Sequence, residues 1–342
     1  MTSMERVLSA LKGTEADRRA FTMTLSLYGA KLTGCPLPEY YTSPERYLQG
    51  QIAVSEQCKP DILFAPFALS LEAQAFGSTI TFLEKSPPNV RKLLIRNPGD
   101  IGLLKAPDVE KDDGLQYLLS SAKLLAGHFK QAVPICGVLT SPMDLPAIIM
   151  GVENWLEILL FDRKKALSVI DCMSGYFVSI ANKMFESGVS FIAMAMVFTN
   201  PQILLQKTLA EFIVPALSEI FAKVKGPIVF HHGSVPIAGY LPLYQGLPNV
   251  AGFVLDHRDS FADARNRIGE NRLLLGNLDG PTLGKYRTVT AVEKARNILE
   301  TTKADRSCIF ATSGGDVSWD TPLETITGIH DLLGSYGGNN AG

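Results

Sequence analysis

Short apolar runs recur along the chain, and longer segments with helical periodicity separate them. We predict eight strands, at residues 21–27, 62–65, 133–139, 191–197, 227–232, 250–256, 272–277 and 308–312. The later runs are continuously apolar, which is typical of parallel strands that are buried on both faces. Apolar residues recur at spacings of three and four within 167–186, 208–223 and 292–301, which predicts amphipathic helices between strands.

Repeated alternation of strand and helix predicts a single (β/α)₈ TIM barrel that spans residues 1–342, with an N-terminal extension before the first strand. A doubly wound open sheet is the alternative that the same pattern allows. We expect two insertions, at residues 30–58 after the first strand and 68–130 after the second. The second contains a β-like run, and long insertions of this kind often form lids over an active site.

Composition narrows the possible partners and the compartment. The chain has 342 residues, of which 46% are apolar, and a net charge of −2. No run of lysine and arginine suggests a nucleic-acid partner, and no apolar stretch is long enough to cross a bilayer. We therefore expect a cytoplasmic protein. The five cysteines are dispersed, so we predict no disulfide framework, and Cys136 and Cys308 are expected to be buried as small apolar residues.

Polar residues follow most of the predicted strands, where the active site of such a barrel lies. The strongest signal is the strand that ends in His231 and His232, two of only five histidines. We predict that His231, His232 and Asp256 are catalytic and that Asn277, Asp279 and Tyr28 bind substrate. Further candidates at the strand ends are Thr140, Ser141, Thr199, Asn200, His257, Ser313 and Asp316. Tyr40, Tyr41 and Trp319 are candidates for an apolar or cation-binding wall, with ordinary packing as the alternative. One histidine should face the pocket and the other the helices, and the sequence leaves open which.

Four segments resemble the uroporphyrinogen decarboxylase superfamily. They are RVLSALKG at 6–13 with Asp17-Arg18 after it, GVLTSP at 137–142, GNLD at 276–279 and TPLE at 321–324. Each segment alone is weakly specific, but their order and spacing cover nearly the whole chain. The resemblance implies a single (β/α)₈ barrel, often a homodimer.

The same resemblance implies a choice between two branches. The decarboxylases carry an aspartate where this chain has Ala68, and Asp61 falls earlier in the strand. Their arginine-rich N-terminal segment is also missing, although a polycarboxylate substrate needs such arginines. The resemblance therefore favours the corrinoid-dependent methyltransferases, which move a methyl group between a small methylated substrate and the cobalt of a separate corrinoid protein. Decarboxylation and a non-catalytic role are the alternatives.

Zinc is a possible cofactor that the resemblance implies only in part. The coenzyme M enzymes of this branch bind zinc through cysteines that correspond here to Gly233 and Gly314. The corrinoid-linked demethylases use a Glu-x14-Glu-x20-His pattern, which Glu211 and His232 match, whereas Met196 replaces the first glutamate. A thioether is a poor zinc ligand. Either a neighbour such as His231 or Asp316 supplies the third ligand, or the site works without metal.

Overall fold

A curled sheet of seven parallel strands lies at the centre of the computed structural model, which describes residues 1–336. The strands, in chain order, are β1 (Leu63–Phe64), β2 (Thr79–Thr81), β3 (Asn89–Lys92), β4 (Ile135–Thr140), β5 (Phe191–Ala195), β6 (Ile228–His231), β7 (Val250–Val254), β8 (Leu273–Asp279) and β9 (Cys308–Ser313). β2 and β3 form a separate antiparallel hairpin, and the others pair in the order β1-β4-β5-β6-β7-β8-β9. This order never reverses, as it must in a doubly wound sheet, so the barrel prediction is confirmed.

Helices pack around the outside of this sheet. In chain order they are α1 (Ser3–Lys12), α2 (Tyr28–Thr33), α3 (Leu37–Tyr40), α4 (Pro44–Cys58), α5 (Leu69–Ala75), α6 (Asp113–Phe129), α7 (Leu145–Met150), α8 (Val152–Phe161), α9 (Arg163–Glu186), α10 (Gln206–Thr208), α11 (Val214–Phe221), α12 (Leu241–Tyr244), α13 (Phe261–Ile268), α14 (Thr288–Thr301) and α15 (Leu323–Ser335). A π-helical turn at Leu209–Ile213 joins α10 to α11. Ser43, Asp112 and Asp162 begin α4, α6 and α9 by accepting a backbone N–H three residues later.

The segment around Phe21 closes the barrel without forming a regular strand. Phe21 makes an isolated parallel bridge to Phe310 of β9, and its carbonyl oxygen accepts the backbone N–H of Asp61 at 2.6 Å. Its own N–H donates to the Asp61 carboxylate at 2.9 Å, and the Thr24 N–H donates to a threonine hydroxyl of β9. The strand predicted at 21–27 is thus reduced to one bridge, because side chains accept the hydrogen bonds that a ladder would use.

Asp61 anchors this closure at the N-terminal end of the barrel. Its side chain is fully buried, and both of its oxygens accept hydrogen bonds from Arg18, at 2.6 and 3.1 Å. Arg6 of α1 donates to one of these oxygens at 3.1 Å, and Ser3 donates at 2.9 Å. Helix α1 is therefore fixed across the bottom of the barrel, at the end opposite to the expected active site.

Strand side chains divide between two apolar clusters. Inward-facing residues such as Val229, Val254 and Ile309 fill the barrel interior, and Cys136 lies among them. A larger cluster fills the space between the sheet and the helices and includes Cys308. Both cysteines are buried and all five are free thiols, as expected. Within residues 1–336, no helix has the length and apolar character needed to span a membrane.

Candidate active site

A cavity of about 870 Å³ lies at the C-terminal ends of the barrel strands. Thr140 at the end of β4 and Ala195 at the end of β5 line its inner part. The hairpin from the second insertion supplies another wall through residues 83–90. At the rim, Lys85 of the hairpin donates to Asp320 of the loop after β9 at 2.7 Å, and both side chains are exposed. The hairpin therefore partly covers the mouth of the barrel.

The walls of this cavity are mainly apolar. Three aromatic residues, Phe67, Phe198 and Trp319, line it from three different loops. Leu27 and Ile148 contribute aliphatic surface beside them. Such walls can hold methyl groups away from water, and aromatic faces also attract organic cations.

Asp316 brings a carboxylate to this apolar cavity. Its Oδ1 accepts the backbone N–H of Leu27 at 2.9 Å, whereas its Oδ2 is buried and has no hydrogen-bond partner within the described residues. Burial raises the pKa of Asp316 to about 7, and the backbone N–H groups of Leu27 and Ser26 oppose that rise only in part. The carboxylate is therefore poised to bind a cation or a proton.

Asp144 is a second carboxylate on the cavity, but its hydrogen-bonding capacity is taken up by the protein. It accepts the backbone N–H groups of three consecutive residues after β5, namely Val197, Phe198 and Thr199. Burial raises its pKa to about 6, although these donors favour the charged form. Asp144 thus fixes the loop that places Phe198 against the cavity.

His231 lies on the inner face of β6, the same face as Val229, and pairs in register with Ala195. Its Nδ1 accepts the backbone N–H of Gly233 at 2.7 Å, so the neutral ring carries its proton on Nε2. Desolvation lowers the pKa of His231 to about 4, although the backbone of Gly314 and the charge of Asp256 favour protonation. His231 is therefore a neutral imidazole that faces the barrel interior, and it is not among the residues that line the cavity.

His232 points outward, between the barrel and its helices. Its ring packs on Phe230 and Tyr244, with centroids 5.1 and 5.4 Å away. It is 1% exposed, and neither ring nitrogen has a hydrogen-bond partner in residues 1–336. Burial lowers its pKa to about 3. The structure thus answers which histidine faces the interior. His232 is not among the residues that line the cavity, and its predicted catalytic role stays a prediction.

Asp256, His257 and Asp279 form a polar group at the ends of β7 and β8. Arg258 donates to Oδ1 of Asp256 at 2.6 Å, and Oδ2 lies 3.5 Å from Nδ1 of the exposed His257. The Nε2 of His257 lies 3.9 Å from Asp279, which also accepts the Thr282 hydroxyl at 2.6 Å. None of these side chains lines the cavity. Their predicted catalytic and binding roles stay predictions.

Two residues predicted to bind substrate, Asn277 and Tyr28, donate hydrogen bonds to backbone carbonyl oxygens of the protein. The amide nitrogen of Asn277 donates to the carbonyl oxygens of Asp256 and Asp259, both at 2.9 Å. The hydroxyl of the buried Tyr28 donates to the carbonyl oxygen of Thr321 at 2.8 Å. Each side chain stabilises a loop near the barrel mouth, and neither is part of the cavity wall.

The residues predicted to bind zinc differ in their exposure to solvent. Glu211 is exposed on the π-helical turn, whereas His232 and Met196 are buried. In the part of the chain that the structure describes, no three histidine, cysteine, aspartate or glutamate side chains are grouped so as to hold a metal ion. A tetrahedral zinc site needs at least three such protein ligands. The donor set of these residues therefore does not fit zinc.

Comparison with known proteins places the chain in a family. A family model described as uroporphyrinogen decarboxylase (URO-D) matches residues 2–336. The chain belongs to the uroporphyrinogen decarboxylase (URO-D) family. The resemblance found from sequence motifs is thereby confirmed.

Relatives of this URO-D family chain carry several names. It is 23% identical to the methylcobamide:CoM methyltransferase MtaA of Methanosarcina barkeri, over 82% of this chain and 83% of that protein. It is 24% identical to a methylated-thiol–coenzyme M methyltransferase of Methanosarcina mazei, over 95% of this chain and 87% of that protein. A uroporphyrinogen decarboxylase of Sorangium cellulosum is 22% identical over 94% and 95%. A solved methyltransferase from Methanosarcina mazei shares the fold, with a TM-score of 0.87, 21% identity and coverage of 98% and 99%.

Two departures from the motifs of the URO-D family have structural consequences. Asp61, the aspartate nearest to the position that the resemblance assigns to the decarboxylases, lies in the ion pairs at the opposite end of the barrel. Ala68 precedes α5, between Phe67 and Leu69 of the cavity wall. Gly233 and Gly314 stand at the positions where the resemblance implies the cysteines of the coenzyme M branch. Both have a left-handed backbone, with φ of 63° and 82°, which L-residues with side chains rarely adopt.

Sequence reasoning missed much of the cavity wall in this URO-D chain. It did not select Asp144, Phe67, Phe198 or the rim pair Lys85 and Asp320. Asp144 could have been selected from sequence, because it comes just after the segment at 137–142, where a predicted strand ends. The hairpin and the loop after β5 gave no such signal, because their approach to the cavity depends on long-range packing.

Proposed function

We propose that the chain is a corrinoid-dependent methyltransferase, which moves a methyl group between a small methylated substrate and the cobalt of a separate corrinoid protein. The observation that carries this proposal is the largely apolar cavity of about 870 Å³ at the mouth of the barrel. Two relatives with methyltransferase names, one of them a methylcobamide:CoM methyltransferase, support it. The corrinoid supplies the metal atom that accepts or gives the methyl group.

The cavity suits this reaction because its walls exclude water from the methyl carbon. Phe67, Phe198 and Trp319 surround the space in which the substrate would lie. The rim at Lys85 and Asp320 is exposed, so a partner protein can approach it. Displacement at a methyl carbon requires approach from the side opposite to the leaving group, and a substrate held in the cavity with its methyl group outward satisfies that geometry.

The charges on the cavity favour methyl transfer over porphyrinogen decarboxylation. A porphyrinogen carries several carboxylates and needs cationic partners. The cavity instead carries Asp144 and Asp316, and its lysine, Lys85, is paired with Asp320. A polyanion in this cavity would meet like charges.

The test is methylation of cob(I)alamin, either free or bound to a corrinoid protein, monitored through the visible absorption spectrum. The methyl donors form a panel of methylated amines, sulfonium compounds, thioethers, ethers and alcohols. We expect transfer from at least one donor, and we expect His231→Gln to lower kcat by roughly tenfold or more because the ring positions the strand-end loops. His128→Gln, on the exposed face of α6, is the matched control. Release of carbon dioxide from uroporphyrinogen, without methyl transfer from any donor, would contradict the proposal.

A further inference from the structure

The cavity combines negative charge with aromatic walls. Asp144, Asp316 and Asp320 line it, and Lys85 is the lysine among the lining residues. Lys85 is paired with Asp320, so two carboxylates remain without a cationic partner on the cavity wall. Lys31, close to the rim, donates to two backbone carbonyl oxygens, each at 2.7 Å.

Asp316 is the group with unused capacity. Its Oδ2 is buried and unpartnered within residues 1–336, whereas Asp144 is bound by three backbone N–H groups. The hydroxyl groups of Tyr40 and Tyr41 lie near Asp316, and they bring no positive charge. A buried carboxylate oxygen without a hydrogen-bond partner is costly, and a bound cation would remove that cost.

We infer that this cavity binds a small methylated organic cation, a quaternary ammonium or sulfonium compound, as the methyl donor. The inference rests on the proposed function and names its substrate class. Aromatic side chains at Phe67, Phe198 and Trp319 provide faces for cationic methyl groups, and Asp316 provides the opposite charge. A sulfonate such as that of coenzyme M would find carboxylates in place of a cationic partner.

The leaving group of such a donor explains why three metal ligands are not needed. When the C–N or C–S bond breaks, its electron pair stays on nitrogen or sulfur, and a neutral tertiary amine or thioether departs. The corrinoid cobalt(I) of the proposed function supplies the electron pair for the new bond to the methyl carbon. No proton enters or leaves, so the departing atom needs neither a Lewis acid nor a general acid.

Binding of choline, measured by isothermal titration calorimetry without any corrinoid, tests the inference. Its neutral isostere, dimethylbutanol, has carbon in place of nitrogen and controls for shape, and trimethylsulfonium tests the sulfur analogue. We expect at least one cation to bind about tenfold more tightly than the neutral isostere or coenzyme M, as a cation–π contact with an ion pair predicts.

Variants identify the groups responsible. Asp316→Asn keeps the side-chain shape and should abolish most of the preference for the cation, whereas Asp331→Asn, exposed on α15, should leave it unchanged. Phe198→Leu keeps the carboxylate of Asp316 and removes one aromatic face, so it should reduce the preference for the cation. This second variant tests the inference even if Asp316→Asn does not fold. Equal binding of cation and isostere, or tighter binding of coenzyme M, would overturn the inference.

The two proposals can fail separately. Cation binding without methylation of any corrinoid would support the cation site and contradict the methyltransferase proposal. Methyl transfer from neutral donors alone, with no cation bound, would support the methyltransferase proposal and overturn the cation site.

Discussion

His231 and His232 are adjacent in the chain and occupy opposite faces of β6. The Nδ1 of His231 accepts the N–H of Gly233, and the backbone of Gly314, two residues before Asp316, lies near the same ring. His232 is surrounded by aromatic rings outside the barrel. We expect the first to position the cavity wall and the second to affect stability alone.

The buried ring of His232 should make the fold sensitive to acid. Its pKa is lowered to about 3, whereas an unfolded histidine has a pKa near 6.5, so the unfolded state binds more protons between these values. Its contribution to stability is therefore complete above about pH 6.5 and declines as the pH falls. Between pH 7 and pH 5 the loss is about 2 kcal/mol for this one group.

We predict that His232→Phe removes that part of the acid sensitivity, because phenylalanine fills the same aromatic space without a titratable group. Urea titrations at pH 7 and pH 5 give the free energy of unfolding at each pH. The drop in this free energy from pH 7 to pH 5 should be about 2 kcal/mol smaller in His232→Phe than in the wild type. His128→Phe, at an exposed position, is the control. An unchanged pH dependence in His232→Phe would show that His232 is not held neutral.

The individual site residues were only partly predictable from sequence. The apolar strand that ends in two histidines indicated the barrel mouth, and alternation required one ring to face inward. The sequence did not show which ring faces inward, because that choice depends on the register in which β6 pairs with its neighbouring strands. Phe198 and Lys85 gave no local signal, since loops far apart in sequence bring them to the cavity.

Closure of the barrel depends on the side chain of Asp61 where a ladder is missing. This carboxylate accepts hydrogen bonds from Arg6, Arg18 and the Phe21 N–H, and it is fully buried. We predict that Asp61→Asn lowers the free energy of unfolding by roughly 3 kcal/mol, because it leaves two guanidinium groups facing a neutral amide. Chemical denaturation at neutral pH measures the loss.

Asp17→Asn provides the matched comparison within the same network. Asp17 also pairs with Arg6, at 2.7 Å, but its side chain is 41% exposed. Solvent screens such a pair, so its loss should cost less than about 1 kcal/mol. Equal losses in the two variants would mean that burial of Asp61 does not determine its contribution.

The positions of the regular strands and helices were predicted better than the places where a strand or a helix is irregular. The continuous apolar runs located β4 to β9 within a few residues, because strands buried on both faces cannot accept polar residues. The run at 21–27 instead alternates apolar residues with Thr22, Thr24 and Ser26, and hydrogen bonds to Asp61 replace its ladder. The π-helical turn at Leu209–Ile213 lies inside a helix predicted as continuous, since one extra residue in a turn leaves the apolar spacing nearly unchanged.

The barrel keeps its two polar systems at opposite ends. The Asp61 ion pairs lie at the N-terminal end, and the cavity lies at the C-terminal end, as expected for this fold. Substitutions at the first should change stability without altering cation preference. Substitutions of Asp316 or Phe198 should alter cation preference.

The homodimer implied by the family resemblance stays a prediction, and the described surface suggests where to test it. Phe161 at the end of α8 and Leu205 before the π-helical turn are 83% and 77% exposed. Arg163 lies over the ring of Phe212 at 4.6 Å, which links these two segments. Large exposed apolar side chains on adjoining segments are typical of an interface between protein chains.

We predict that sedimentation velocity gives twice the 37.2 kDa mass of one chain, and that Phe161→Asp shifts the protein toward the monomer. A charge placed in an apolar interface loses its hydration without gaining a partner, so association weakens. Val289→Asp introduces the same charge at a residue that is 79% exposed on α14, and it should leave the mass unchanged. A monomeric wild type would contradict the dimer, whereas equal dissociation by both variants would contradict the location of its interface.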